Sequence, residues 1–375
     1  MNLFDPLTWA AESARWSLFA RTPLDLVAQF FIEPDSAAAG VVPAVRMDAS
    51  ESPSATRSDT HAQWLRGTFT HEDEEHAFRL YVPAAHRVRA LPLVVMLHGA
   101  QQDADDFASG TGMNIVAEER EYIVLYPEQS EGANPFRCWN WFKPIDWACD
   151  SGEPAMLLAL TRAIVAKFNA DETRVYVAGL SAGGAMAVNL VVRYPDRFAA
   201  AAIHSGIAFG VADEPLSALC AMRDGMGRVS LPETVAHGLR TRAVPLIVFH
   251  GDADDTVHPR NSEQIVKMGL HLHDCQDPPT QVSTQDNEDA HRHSYTRHVF
   301  DNGDDEPVVE QWSVHGLGHA WSGGRPQGSH TDARGPDASA EIIRFFGRFA
   351  LDTGCERGKC AAPETRDHAE AQPNE

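Results

Sequence analysis

Residues 175–188 constrain this chain more than any other stretch. Val175-Tyr176-Val177-Ala178 is a continuous apolar run, the kind carried by a strand buried on both faces. Gly179-Leu180-Ser181-Ala182-Gly183 follows, and Gly184-Ala185-Met186-Ala187-Val188 opens a small-residue helix. A serine between two glycines at a strand-to-helix junction predicts an elbow. Such a turn lifts the hydroxyl clear of the sheet and sets the next backbone N–H beside it. The competing reading is a glycine-rich turn with an ordinary surface serine.

The surrounding pattern fits a sheet that could carry such an elbow. Ala77–Val82, Leu93–Leu97, Ile123–Tyr126, Ala199–His204 and Val244–His250 read as strands. Between and after them, Asp105–Glu119, Pro154–Phe168, Pro259–His273 and Ala338–Leu351 read as helices. Tyr295–Phe300 and Val308–Val314 flank the turn signal Asn302-Gly303 and read as a hairpin. This alternation predicts an α/β domain over 67–352, with a mostly parallel sheet and helices on both faces. Residues 35–66, rich in Ala, Ser, Pro and Asp, read as a linker, and Asp274–Arg292 as a polar surface insertion. The tail 353–375 is polar and reads as disordered.

Residues 1–34 carry Leu7, Ala11, Ala14 and Leu18 at helical spacing, with Trp9 and Trp16 alongside. This segment either docks on the α/β domain or, through residues 3–31, meets a hydrophobic granule or lipid surface. Its few basic residues favour docking. The formal net charge of −22 argues against a nucleic-acid partner. No apolar run reaches the length of a transmembrane segment. No secretory leader is visible at Met1-Asn2-Leu3-Phe4-Asp5-Pro6, which favours a cytoplasmic location. Six cysteines, at 138, 149, 220, 275, 355 and 360, leave the redox compartment open.

A serine hydroxyl is a weak nucleophile until a base takes its proton. The acid and histidine that complete such a triad are expected later in the chain. After the Val244–His250 strand, Asp252, Asp254 and Asp255 compete for the acid role, with Asp254 leading. His319, in the glycine-rich loop Gly316-Leu317-Gly318-His319 after the last strand, leads for the base, ahead of His315, His330, His291, His293 and His298. A developing oxyanion needs two donors. The N–H of Ala182 is one; Ala100, with Gln101 as its competitor, is the candidate for the other. His98 reads as a structural residue at a strand end. Trp321, beside His319, and Trp139, in Cys138-Trp139-Asn140-Trp141-Phe142, are candidate substrate-binding surfaces, with core packing as the competing reading. His271 and His273 lie two apart on a helix and cannot face one metal ion, so no metal is expected. No dinucleotide fingerprint follows a strand, so no cofactor is expected either.

Six segments occur in a telling order: His98-Gly99-Ala100-Gln101-Gln102, Cys138-Trp139-Asn140-Trp141-Phe142, Gly179-Leu180-Ser181-Ala182-Gly183-Gly184, His204-Ser205-Gly206, His250-Gly251-Asp252-Ala253-Asp254 and Gly318-His319-Ala320-Trp321-Ser322-Gly323-Gly324. Together they resemble the polyhydroxybutyrate depolymerase family of α/β-hydrolase esterases, over about residues 70–350. The resemblance implies Ser181, Asp254 and His319 as the triad of a serine esterase acting on short-chain polyhydroxyalkanoate polyester or oligomers through an acyl-enzyme. Feruloyl or acetyl-xylan ester hydrolysis is the alternative within the same fold. A non-catalytic granule-binding protein is the alternative from another class. Ala100 stands where many relatives carry cysteine, a change that a backbone donor survives. The resemblance also implies secretion, against the unseen leader.

Overall fold

The computed structural model describes residues 44–48, 61–144, 151–231, 242–275, 278–286, 291–302 and 306–352. The expected N-terminal helical segment 1–34 and the tail 353–375 lie outside these residues.

Five apolar runs become strands with every residue buried: β4 (Leu93–Leu97), β5 (Ile123–Pro127), β6 (Val175–Leu180), β7 (Ala200–His204) and β8 (Leu246–Gly251). They form the parallel centre of an 11-stranded sheet, extended on one side by β11 (Pro307–Val314), β10 (Tyr295–Asp301) and β9 (Gln281–Gln285). On the other side stand β3 (Glu74–Val82), β2 (Gln63–His71) and β1 (Ala44–Met47), giving the order β1-β2-β3-β5-β4-β6-β7-β8-β11-β10-β9. β11 joins β8 in parallel, whereas β1–β3 and β9–β10 pair antiparallel.

Strand side chains alternate between two cores. Leu93, Val95, Leu97, Val175, Val177 and Ile203 pack on one face with helices α3 (Gly152–Lys167), α4 (Ala182–Arg193) and α6 (Arg260–Leu272). Val94, Met96, Tyr176, Ala178 and Phe249 pack on the other with α1 (Ala104–Thr111), α2 (Met113–Arg120) and α7 (Ala338–Phe346). Burial on both faces explains why these strands read as unbroken apolar runs.

Three expectations change and one helix is added. The helix expected over Asp105–Glu119 is two helices, because Gly112 takes φ 63° and caps α1 in the left-handed conformation. The linker 35–66 contains β1 and the start of β2, so the sheet begins well before Gly67. The insertion Asp274–Arg292 contains edge strand β9, whose residues are all exposed; polar side chains on both faces gave it no alternation to read. A short helix, α5 (Pro215–Asp224), follows a capping box between Glu214 and Ser217. Among the described residues no helix is long and apolar enough to cross a membrane.

Candidate active site

β5 and β6 flank β4 on opposite sides, so the winding of the chain reverses at β4. A crevice opens at the carboxyl ends of strands on either side of such a reversal. The loop His98–Gln102 leaves β4 there, and Ser181 leaves β6.

Ser181 holds φ 57° and ψ −118°, a conformation rarely adopted by a residue with a side chain. Close packing enforces it. A Cβ on Gly183 would lie 2.0 Å from the Leu97 carbonyl oxygen, and one on Gly179 would lie 2.3 Å from the Gly183 carbonyl carbon. The Ser181 N–H donates to the His204 carbonyl at 2.9 Å. Its side chain makes no capping bond to α4, so the hydroxyl is not spent on the helix. Ala182 is the first residue of that helix, where backbone N–H groups have no intrahelical acceptor.

Of the three competing aspartates, only Asp254 is buried, at 4% exposure. Its Oδ2 meets His319 Nδ1 at 2.8 Å, while Oδ1 accepts from the N–H groups of Thr256 at 3.0 Å and Val257 at 2.8 Å. His250 Nε2 lies 3.4 Å from Oδ2. Burial works against the charge, but the hydrogen bonds from His250 and His319 outweigh it and hold the carboxyl well below the usual carboxylate range. Asp252 instead joins His315 at 2.9 Å and the Gly316 N–H at 2.7 Å, and Asp255 is exposed. The acid and histidine loops are tied together where the Ala253 N–H donates to the Leu317 carbonyl at 3.1 Å. The conformational demand in the histidine loop falls on Gly316, at φ 76°; a Cβ on Gly318 would meet nothing within 4 Å.

Two of the rival histidines, His315 and His293, are engaged elsewhere. His315 Nε2 meets Thr296 Oγ1 at 2.9 Å, and His293 Nε2 meets Asp332 Oδ2 at 3.1 Å. His298 lies on β10. His330 sits edge-on to His319, with ring centroids 6.3 Å apart. Burial first, and then the neighbouring His319, lower the His330 pKa.

The loop after β4 separates the two candidate donors. The Gln101 N–H is consumed by the Phe136 carbonyl at 2.7 Å. Gly99 O lies 2.7 Å from His98 Nδ1 and accepts from the Gln102 N–H at 3.3 Å. His98 Nε2 accepts from the Gln129 N–H at 3.0 Å, which assigns the proton to Nδ1. With the Gly99 carbonyl gripped from one side, planarity turns the Ala100 N–H the opposite way. A Cβ on Gly99 would lie 3.6 Å from Ser181 Cβ, so this loop borders the serine. Burial drives the His98 pKa down to about 4, keeping the ring neutral in this role.

His204 and His250 were not singled out from the sequence as site residues. His204 Nε2 accepts from the Ser322 N–H at 3.0 Å, fixing the segment after His319. Its ring stacks between Phe249 and Trp321, at centroid distances of 5.7 and 5.0 Å, and burial pushes its pKa down to about 3. His250 Nε2 meets the Val257 carbonyl at 2.7 Å and shapes the Asp254 turn. A signal was present: Leu97-His98-Gly99, Ile203-His204-Ser205 and Phe249-His250-Gly251 each end an apolar strand with histidine and a small residue.

The two tryptophans expected to contact substrate do not face solvent. Trp139 is 0% and Trp321 1% exposed. Trp139 packs against His98 at 5.4 Å. Trp321 donates to Ser339 Oγ at 3.1 Å and meets Phe107 edge-on at 5.6 Å. Both pack behind the loops of the candidate site, because their large apolar rings gain most from burial. The loop around Trp139 is clasped by Glu153, which accepts from Gln129 Nε2 at 2.7 Å and from the Asn140 N–H at 2.8 Å. Burial raises the Glu153 pKa, partly offset by these bonds. Cys138, Cys220 and Cys275 are free thiols.

The solved acetyl xylan esterase from Aspergillus awamori shares the fold, with a TM-score of 0.56 at 20% identity over 72% of this chain and 94% of that one. The architecture is that of the α/β-hydrolases. Within it, the chain belongs to the family described as esterase PHB depolymerase, whose model matches residues 76–288. Poly(3-hydroxyalkanoate) depolymerase C of Paucimonas lemoignei is 30% identical over 244 residues, spanning 64% of this chain and 57% of that protein. Feruloyl esterase B of Neurospora crassa is 29% identical over 206 residues, or 51% and 68% of the two chains. Acetylxylan esterase of Coprinopsis cinerea is 26% identical over 283 residues, or 72% and 69%. The match thus spans less than three-fifths of the depolymerase's length.

Proposed function

We propose that this protein is a serine esterase with Ser181 as nucleophile, His319 as general base and Asp254 as the acid that orients it. One observation carries the reading: buried Asp254 meets His319 Nδ1 at 2.8 Å, on loops at the same sheet edge as the strained Ser181. Ser181 Oγ attacks the ester carbonyl carbon while its proton passes to His319 Nε2. The Asp254 carboxylate stabilises the imidazolium that forms. The N–H groups of Ala100 and Ala182 receive the oxyanion. Collapse of the intermediate breaks the acyl–oxygen bond, and His319 returns the proton to the leaving alcohol. Water then repeats the sequence on the acyl-enzyme and releases the acid.

The proposed substrate is a short-chain polyhydroxyalkanoate polyester or its oligomers. The depolymerase relative of Paucimonas lemoignei supports this choice. Feruloyl and acetyl-xylan esters require the same chemistry and differ only in what the pocket admits. A fluorophosphonate probe is expected to label the wild type and not Ser181→Ala. An unlabelled, inactive wild type would point to a binding protein that keeps the fold. Release of 3-hydroxybutyrate from amorphous polyester is expected to exceed ferulate release from methyl ferulate; the reverse order would move the substrate to the feruloyl class.

A further inference from the structure

Gln102 is 2% exposed and uses both ends of its amide. Its Oε1 accepts from the Gly99 N–H at 2.9 Å. Its Nε2 donates to Asp106 Oδ2 at 2.8 Å and reaches Ser329 O at 3.3 Å and Ser329 Oγ at 3.2 Å. Asp106 closes the ring, accepting from the Ser329 N–H at 2.8 Å and from Ser329 Oγ at 2.6 Å. Two stretches far apart in the chain therefore meet at one amide: the loop after β4 with helix α1 that follows it, and residues 325–330.

Each segment leads to a reacting group. On the β4 side, Gln102 holds Gly99 twice, by its side chain at the N–H and by its own N–H at the carbonyl. Those bonds fix the peptide plane that carries the Ala100 N–H. Residue 101 takes φ 65°, a left-handed conformation costly for glutamine, so the turn needs outside support. On the other side, Ser329 precedes His330, whose carbonyl accepts from the Trp321 N–H at 2.7 Å, two residues beyond His319. β12 (Trp321–Ser322) and β13 (Thr331–Asp332) pair across the same loop. The loop is seated on α1 by close packing: a Cβ on Gly328 would lie 2.4 Å from Gly110 Cα, and the Arg325 N–H donates to the Gly110 carbonyl at 2.7 Å.

We propose that Gln102, with Asp106 and Ser329, is a positioning unit that aims the Ala100 N–H and locks the oxyanion loop to the loop carrying His319. The inference rests on the esterase reading above. Gln102 touches no reacting atom. It acts by holding a donor where charge develops, and misaiming such a donor weakens transition-state binding more than substrate binding.

The test measures kcat, KM and the inhibition constant of a trifluoromethyl ketone with a short p-nitrophenyl ester. Gln102→Glu keeps the acceptor for Gly99 but sets a carboxylate against Asp106. Its kcat is expected to fall roughly 10- to 100-fold, short of the loss of a whole oxyanion donor. KM is expected to stay within about twofold, while ketone affinity falls by the same factor as kcat. Adding Asp106→Asn restores an amide–carboxylate pair in reverse order and should recover kcat to within roughly threefold of wild type. Ser329→Ala, a milder change, should lower kcat several-fold with the same signature. Unchanged kcat in Gln102→Glu, a loss that appears in KM alone, or no recovery in the double variant would overturn the positioning role. If the single variant does not fold, Ser329→Ala with unchanged kcat overturns it equally. A wild type that neither reacts with fluorophosphonate nor hydrolyses the ester would overturn the esterase reading instead, and the positioning role with it.

Discussion

At the carboxyl ends of the central strands, His98, His204, His250 and Asp254 are almost wholly buried, and each holds a loop in place by hydrogen bonds. On the β1–β3 wing, Arg46 faces Glu75 at 3.9 Å, with 78% and 60% of the side chains exposed. Arg66 and Asp105 are likewise 3.9 Å apart and open to solvent. Water competes for the charges of these two pairs, so they are interchangeable. At the strand ends no water replaces a lost partner, so each polar group has one workable arrangement. Burial is the variable, and the side of the sheet is not. On β11, fully buried Glu310 gathers Arg297 at 2.8 Å, Arg344 at 2.5 Å and Arg348 at 3.4 Å.

The sharpest test of this contrast lies within one loop. Asp254→Asn should lower kcat on a short ester by roughly 10³- to 10⁴-fold, because an amide favours the wrong imidazole tautomer and cannot stabilise the imidazolium. Asp255→Asn, one residue away and exposed, should stay within about twofold. Equal losses would break the comparison.

Acid sensitivity comes next. The folded-state pKa values of His98 and His204, about 4 and about 3, lie below the ordinary 6.5. Between those values the unfolded chain binds protons that the native state refuses. Stability is therefore full above about pH 6.5 and falls as pH drops towards 4, by up to about 1.4 kcal/mol per pH unit for each ring. Asp254, whose carboxyl is held low, adds a loss in the same direction once the unfolded carboxyl protonates. Thermal melts from pH 8 to 4 check this. His204→Phe should melt lower at neutral pH, since the Ser322 N–H loses its acceptor, yet show a shallower acid slope. An unchanged slope would mean that His204 carries none of the effect.

The smallest effect belongs to the wing. Arg46→Ala should change unfolding free energy by less than about 0.5 kcal/mol and leave activity unchanged. A loss above about 1 kcal/mol would show that exposure is a poor guide to what these ion pairs contribute.

What the sequence determined by itself was local. The apolar run at Val175–Ala178, the two glycines around Ser181 and the alternation of strands and helices all act over a few residues. A strand buried on both faces has to be apolar throughout, and a turn that brings Gly183 against Leu97 has no room for a side chain. Tertiary structure decided the rest, because it depends on partners brought together from far along the chain. Asp254 is distinguished from Asp252 and Asp255 by a hydrogen bond to a residue 65 positions away. Ala100 is distinguished from Gln101 by the Phe136 carbonyl, and Gln102 finds Ser329 across 227 positions. Trp139 and Trp321 had the composition of a binding surface, but the packing of helices and loops behind the site buried both rings. Strand β1 turns Val45 and Met47 to the core and Ala44 and Arg46 outward, but four residues are too few to read as a strand alone; pairing with β2 decides it.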